Sequence, residues 1–322
     1  MRACLGGASS VARNSFRCFL GTVSLCLILT ALVVSVLFVA NAAMHISGKQ
    51  LATYHDQGFL VLDGFASEEE CEQLRARAAE MVQGFDPAEV VSIFSTHEQN
   101  RPTDDYFLTS GDKIRFFFEE NAFNADGTLK YDKEKSINKI GHALHDLDPV
   151  FNQFSRSEKI KDIATAIGMK NPLLLQSMYI FKQPNIGGEV TCHQDSTFLY
   201  TDPIDIVGLW FALEDATIEN GCLWAIPGAH RSGLKSRWKR SEEGMKFDIF
   251  DGEPWPEDQL VPIEVSKGSL ILLHGLLPHR SFENRSPRSR HAYTLHLIGA
   301  GANYPADNWL QRSKNSPLKG FK

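Results

Sequence analysis

The chain has 322 residues, a hydrophobic fraction of 43% and 21 Phe, enough for the core of one large domain or two small ones. Its net charge is −6 and its pI about 6.0, which excludes the global basic field that recruits nucleic acid. The six cysteines, at positions 4, 18, 26, 71, 192 and 222, show no paired or Cys-x-x-Cys spacing, which argues against a disulfide framework and a structural zinc site.

The N-terminus stands apart from the rest. Phe19–Ala40 carries no charge, is rich in Leu, Val and Ala, and follows Arg2, Arg13 and Arg17. Such a run is long enough to cross a bilayer as a helix, with the basic flank holding the short N-terminus on the cytosolic side. Residues 1–43 are therefore read as a hydrophobic segment that anchors the protein, through residues 19–40, as a single-pass membrane protein. Two alternatives stand beside that reading. Ala40-Asn41-Ala42 resembles a signal-peptide cleavage site, and Met44 can begin an ordinary soluble, cytoplasmic protein if the segment is absent.

After this segment the pattern is helical. A short helix is expected over Ser47–His55, stopping near Gly58, then a short buried strand at Phe59–Leu62. Ser67-Glu68-Glu69-Glu70 has the form of a capping box. It opens a helix to about Gln83 with Cys71, Leu74, Ala78 and Met81 on its apolar side. Residues 86–105 read as loop, Lys113–Phe118 as strand and Asn124–Gly127 as turn. His142 and His145 would share a face if their stretch were helical, but no carboxylate or Cys has matching spacing, so surface or capping roles are expected. A further helix is expected around Ser157–Ile167.

From residue 172 the character changes. Leu173–Phe181, Ile206–Leu213, Cys222–Ile226, Gly268–Leu273 and His291–Ile298 are apolar runs of strand length, punctuated by Gly, Pro and Asn. Short strands after a helical first half predict a mainly β fold, a sandwich or jelly roll packed against helices. Residues 232–262 look like a polar linker with a basic cluster at 235–240, read as a solvated loop or as a contact for an anionic substrate group.

Within this half lies Thr191-Cys192-His193-Gln194-Asp195-Ser196, with the only His-x-Asp of the chain. In an extended stretch His193 and Asp195 project to one face, and Cys192 and Gln194 to the other. One imidazole and one carboxylate are two-thirds of the facial triad of non-haem Fe(II) oxygenases. His230, His274, His279, His291 and His296 are candidates for the third ligand. Leu270–His279 offers two of them, and spacing alone does not choose between His274 and His279. No His-Glu-x-x-His and no nucleophile elbow supports a hydrolase.

Pro278-His279-Arg280-Ser281, followed by Asn284, Ser286 and Arg290, resembles the distal signature of the phytanoyl-CoA dioxygenase family. Gln176–Pro184, Gly187-Gly188-Glu189-Val190, Glu219–Trp224 and Ile226–His230 fit the same family in the same order. The resemblance covers about Ser47 to Leu310. It implies an Fe(II)/2-oxoglutarate dioxygenase domain over residues 47–310, built on a double-stranded β-helix (a cupin-like jelly roll), with 311–322 as a C-terminal tail. It further implies that His193, Asp195 and His279 hold Fe(II). Lys139, Met178, His193, Gln194, Asp195, Trp210, Ser281 and Arg290 would line the 2-oxoglutarate site. The implied reaction consumes O2, releases succinate and CO2, and hydroxylates a small-molecule substrate that no residue pattern identifies. A monomer is expected. The alternative is a non-catalytic sensor that binds the same metal and 2-oxoglutarate.

Overall fold

The structure, a computed structural model, describes residues 46–97 and 103–321. The expected membrane anchor at 19–40 lies outside the described residues. Among the described residues no helix is long and apolar enough to cross a membrane.

Helix α1 (Gly48–Gln57) is opened by a capping box: Ser47 Oγ accepts from Gln50 N, and the Gln50 side chain accepts from Ser47 N. Strand β1 (Phe59–Leu62) and helix α2 (Glu68–Gly84) follow, the latter with the expected Ser67/Glu70 box. Each such cap is worth about 0.5–2 kcal/mol. Cys71, Leu74, Ala78 and Val82 are the buried face of α2, so Val82 completes the stripe rather than Met81. A one-turn helix α3 (Asp105–Leu108) precedes strands β2 (Ile114–Phe118) and β3 (Ile137–His142). All six residues of β3 are buried, and β3 pairs with a strand on each side. His142 therefore ends a central strand while His145 sits in the short helix α4 (Leu144–Leu147), and the two share no helix face.

Helices α5 (Pro149–Ser155) and α6 (Glu158–Ala166) lead into the β half. Its strands are β4 (Pro172–Ile180), β5 (Val190–His193), β6 (Ile206–Ala212), β7 (Leu223–Ala225), β8 (Ser236–Ser241), β9 (Gly244–Ile249), β10 (Val261–Ile263), β11 (Leu270–His274), β12 (His279–Ser281), β13 (Ala292–Gly299) and β14 (Lys319–Gly320). One further helical turn, α7 (Asp195–Phe198), follows β5 directly. The larger sheet runs β1-β11-β6-β13-β4-β3-β2, with β14 added beside β4. The smaller runs β10-β7-β12-β5, and every named pair is antiparallel.

Register in the larger sheet creates two opposed rows. Tyr179, Tyr293 and Phe211 stand side by side across β4, β13 and β6, and Met178, Thr294 and Trp210 form the next row. Because side chains alternate, the two rows face opposite ways. The first meets α5, where Phe151 packs on Tyr179 and Tyr293, and Phe154 on Phe211 and Tyr293. Ser155 also hydrogen-bonds the Tyr293 hydroxyl at 2.7 Å. The second row lines a cavity whose other wall is the smaller sheet. Burying each large aromatic is worth about 1.5–3 kcal/mol, so the helices that seal the outer face also fix which row faces the cavity.

Two stretches carry more structure than their composition announces. The linker-like 232–262 contains the β8–β9 hairpin. The stretch after Leu310 folds back, with Arg312 on Asp146, Ser313 N on Asp112 and β14 on β4, within a unit spanning His45–Lys322.

Candidate active site

His193 ends β5 and His279 begins β12, and the two are direct partners across the antiparallel ladder. Their rings lie 4.4 Å apart. The strand alternation expected for His193 and Asp195 stops one residue early, because Asp195 opens the helical turn α7. The carboxylate nevertheless meets both rings: Oδ1 is 3.7 Å from His193 Nε2 and 3.7 Å from His279 Nε2. The three ligand atoms all lie within 4.8 Å of one another.

The backbone decides which ring nitrogens carry protons. His193 Nδ1 lies 2.8 Å from the Thr191 carbonyl and His279 Nδ1 lies 2.9 Å from the Leu277 carbonyl. A carbonyl only accepts, so both Nδ1 atoms donate and both Nε2 atoms present lone pairs towards Asp195. Two lone pairs and an anionic oxygen converging on one point form a donor set for a cation. Room for it depends on Gly208, where a Cβ would stand 2.7 Å from Asp195 Oδ2. That second oxygen faces His296 Nε2 of β13 at 3.4 Å. Burial raises the Asp195 carboxyl, but His296, His279 and His193, whenever they carry a second proton, outweigh it and hold it well below the usual carboxylate range.

The other histidines stand elsewhere. His274 Nδ1 accepts from Leu276 N, and its ring packs on Tyr54 and His230. His230 reaches the His55 carbonyl, and His291 bonds the Tyr179 hydroxyl. None of these three lines the cavity.

Beyond His279, the cavity ends at a buried cationic wall. Arg290 is 1% exposed. Its Nε donates to the Gly221 carbonyl at 3.0 Å, its Nη2 to Ser281 Oγ at 3.4 Å, and its guanidinium lies 5.0 Å from the Trp210 ring centre. Its Nη1 is buried without a hydrogen-bond partner among the described residues. A buried N–H of a charged fork is costly to leave unmade, and an incoming carboxylate would complete it. Burial draws the guanidinium down to about 10, which leaves it charged at neutral pH.

Lys139 and Met178 line the same cavity, with Lys139 Nζ 3.7 Å from Met178 Sδ and 3.3 Å from the Phe94 ring centre. Gln194 departs from the expectation drawn from the resemblance. Its amide donates to the Gly233 and Leu276 carbonyls and accepts from Lys235 N, so it staples loops outside the cavity. That position agrees with the strand alternation, which sends Gln194 away from His193.

Sequence reasoning missed Lys182 and the part played by Gly221. Lys182 lines the cavity, is 1% exposed and donates to the Gly188 carbonyl at 2.6 Å. Burial, reinforced by Arg290, pulls its ammonium down to about 7, and burial raises nearby Glu119, so both lean towards neutrality. Gly221, read as a turn residue, turns its carbonyl to both Arg290 Nε and Ser281 Oγ. Its φ is +87°, and a Cβ there would stand 2.7 Å from Lys182 Cε.

Comparison with known proteins agrees with this geometry. A family model described as phytanoyl-CoA dioxygenase matches residues 54–292. The chain is 52% identical to a phytanoyl-CoA dioxygenase of Arabidopsis thaliana over 82% of its length and 93% of the relative's. It is 48% identical to phytanoyl-CoA dioxygenase domain-containing protein 1 of Bos taurus over 85% and 97%. Among solved structures, the non-haem alpha-ketoglutarate-dependent carbocyclase SnoK superposes with a TM-score of 0.59 at 17% identity, covering 85% of this chain and 96% of its own. EctD of S. alaskensis with bound Fe does so with a TM-score of 0.56 at 20% identity, covering 83% and 82%. These two likenesses concern the fold. With a matching family model over most of its length and relatives about half identical to it, the chain belongs to the phytanoyl-CoA dioxygenase family.

Proposed function

We propose that the protein is an Fe(II)- and 2-oxoglutarate-dependent dioxygenase that hydroxylates a small molecule and releases succinate and CO2. The observation that carries the reading is the convergence of two Nε2 lone pairs on the Asp195 carboxylate, in one cavity with the unmade N–H of Arg290. His193, Asp195 and His279 would hold the metal, which would supply oxygen activation coupled to decarboxylation of the 2-oxo acid.

The chain's own residues have separable tasks. The Thr191 and Leu277 carbonyls keep the two imidazoles in the ligating tautomer. His296 holds the far oxygen of Asp195 and so orients the near one. Arg290 and Ser281 would bind the distal carboxylate of 2-oxoglutarate, and Trp210, its ring centre 5.0 Å from the guanidinium, would wall the pocket against water. Lys139 and Met178 complete that wall. The direct test is succinate release by the purified full chain with Fe(II), 2-oxoglutarate and a substrate panel. Tight 2-oxoglutarate binding without succinate release across the panel would defeat the catalytic reading.

His279 rather than His274 is the second imidazole ligand in this reading. His279→Ala should remove the weak visible absorption of the Fe(II)–2-oxoglutarate chelate, and His274→Ala should retain it. The reverse pattern would move the distal ligand to β11.

Lys182 should make 2-oxoglutarate binding depend on pH. A dianion beside it favours the ammonium, so binding should raise its pKa by about one unit, a tenfold effect on affinity. Affinity should be flat below about pH 7, where Lys182 is charged in the empty site, and should fall as pH rises above it. Lys182→Met should remove that fall, as read by calorimetry between pH 6 and 9. An identical slope in the variant would assign the dependence to another group.

A further inference from the structure

One end of the cavity has no part in the chemistry assigned above. Its wall is aromatic, formed by Phe94, Phe107, Phe198, Trp238 and Trp309, with His142 among them. His142 is completely buried, and its ring meets Phe107, Phe117 and Trp309 at 5.3–5.6 Å. A histidine in such a setting is polar for a reason that packing alone does not supply.

Its tautomer follows from one hydroxyl. Ser110 Oγ lies 2.5 Å from the Phe107 carbonyl and 2.7 Å from His142 Nδ1. The carbonyl only accepts, so the single hydroxyl proton of Ser110 goes to it, and Ser110 must accept from His142 Nδ1–H. His142 Nε2 then carries a bare lone pair. It is buried and has no partner among the described residues. His142 lines the cavity and Ser110, which holds its Nδ1, does not. Burial, with Lys139 nearby, holds the imidazole neutral. Beside it, Trp309 Nε1–H is likewise buried and unpartnered among the described residues. An acceptor and a donor, on rings 5.3 Å apart, are both unmade in an apolar pocket.

The smallest substrate group that satisfies both is a neutral hydroxyl, which donates to His142 and accepts from Trp309. A carboxylate would meet the lone pair of His142. An ammonium would have nothing to offer Trp309 and would approach Lys139, which lines the same cavity. A polyanionic carrier such as a coenzyme A thioester finds no free cations in the basic stretch at 235–240. Lys235 is paired with Asp251, Arg237 with Asp307, and Lys239 with Asp248, while Arg240 donates to the Leu108 and Trp309 carbonyls.

We infer that the aromatic end of the cavity is the primary-substrate pocket, and that it takes a compact, uncharged, apolar alcohol whose hydroxyl donates to His142 Nε2 and accepts from Trp309 Nε1–H. The inference rests on the dioxygenase reading for the word substrate, but the binding it predicts is independent of turnover.

The test uses three matched probes: 3-phenylpropan-1-ol, its methyl ether and propylbenzene. Each is titrated into the full chain, loaded with Fe(II) and 2-oxoglutarate without oxygen and followed by tryptophan fluorescence. The alcohol should bind at least about tenfold more tightly than the ether or the hydrocarbon, since neither can donate to the buried lone pair. His142→Phe should reduce that preference to below about threefold. His142→Gln, which keeps an acceptor oxygen, should retain much of it. Equal affinities for alcohol and ether in the unmodified chain, no binding of any probe, or an undiminished preference in His142→Phe would each overturn the inference. Alcohol-selective binding, with no succinate release in air across the substrate panel, would leave it standing and sink the dioxygenase reading; succinate release in air without alcohol selectivity would do the opposite.

Discussion

Asp195→Ala should abolish Fe(II) binding at micromolar metal. Asp195 is the one anionic member of the proposed donor set, and its carboxylate lies 3.7 Å from each of the two imidazole nitrogens that present lone pairs to it. Removing a residue that only orients a ligand costs about 10–100-fold in metal affinity. Removing the charged ligand itself should exceed that range. Asp195→Asn separates charge from shape, because the amide still fits the space that Gly208 leaves but brings no negative charge. It should bind Fe(II) almost as poorly as the alanine variant. His296→Ala is the informative contrast. It touches only the far oxygen of Asp195, at 3.4 Å, and should cost the smaller, orienting amount. Anaerobic titration with Fe(II), alongside thermal unfolding of each metal-free variant, distinguishes lost ligation from lost structure. Micromolar binding by folded Asp195→Ala would remove this carboxylate from the centre.

How much of this was legible beforehand differs from residue to residue. The His193/Asp195 pair was legible because only one His-x-Asp exists, although the strand ends between its two members. His279 was not separable from His274 by spacing. What separates them is register: His279 faces His193 directly across β12 and β5, and His274 ends a strand of the other sheet. β3 was hidden because a strand buried on both faces shows no alternation to read. The β8–β9 hairpin was hidden for the opposite reason, since its charged residues pair with one another and mimic a solvated loop.

Arg290, Ser281, Trp210, Lys139 and Met178 were reached through the resemblance, whereas the roles of Lys182, His142 and His296 were not legible. Lys182 follows a strand in what reads as a polar turn, where a lysine is ordinarily exposed, yet folding seals it under Gly221 and beside Ser281. His142 was paired with His145 and read as a surface or capping residue, and His296, in the apolar run 291–298, was one of five candidate ligands with nothing to single it out. Only the β3-β4-β13 order brings both to one cavity. The rows set by that order explain why neither could slip. A one-residue shift of β13 would turn Tyr293 towards the cavity and Thr294 towards α5, emptying the aromatic layer formed with Phe151 and Phe154. The packing that stabilises the outer face therefore also aims the functional side chains.

Arg290→Ala should leave Fe(II) affinity nearly unchanged and weaken 2-oxoglutarate severely. A charged guanidinium has only donors and no lone pair to offer a metal, so ligation does not depend on Arg290. Its fork is already half committed, through Nε to Gly221 and Nη2 to Ser281, which fixes the direction of the unmade Nη1. That preorganisation means little rotamer entropy remains to be lost when a carboxylate arrives. Truncating a buried, charge-assisted contact costs on the order of 2–5 kcal/mol, roughly thirtyfold to several-thousandfold in affinity. Arg290→Lys should recover little of it, because an ammonium cannot bridge Gly221 and Ser281 and still present a second N–H to the ligand. Lys182, already beside Ser281, would also repel it. Calorimetric titration of 2-oxoglutarate into metal-loaded, oxygen-free protein measures the loss directly. Wild-type affinity in Arg290→Ala would transfer the anchor to Lys182 or Lys139. Lys182→Met and Lys139→Met in the Arg290→Ala background then tell these two apart, because only removal of the residue that has become the anchor should abolish the remaining affinity.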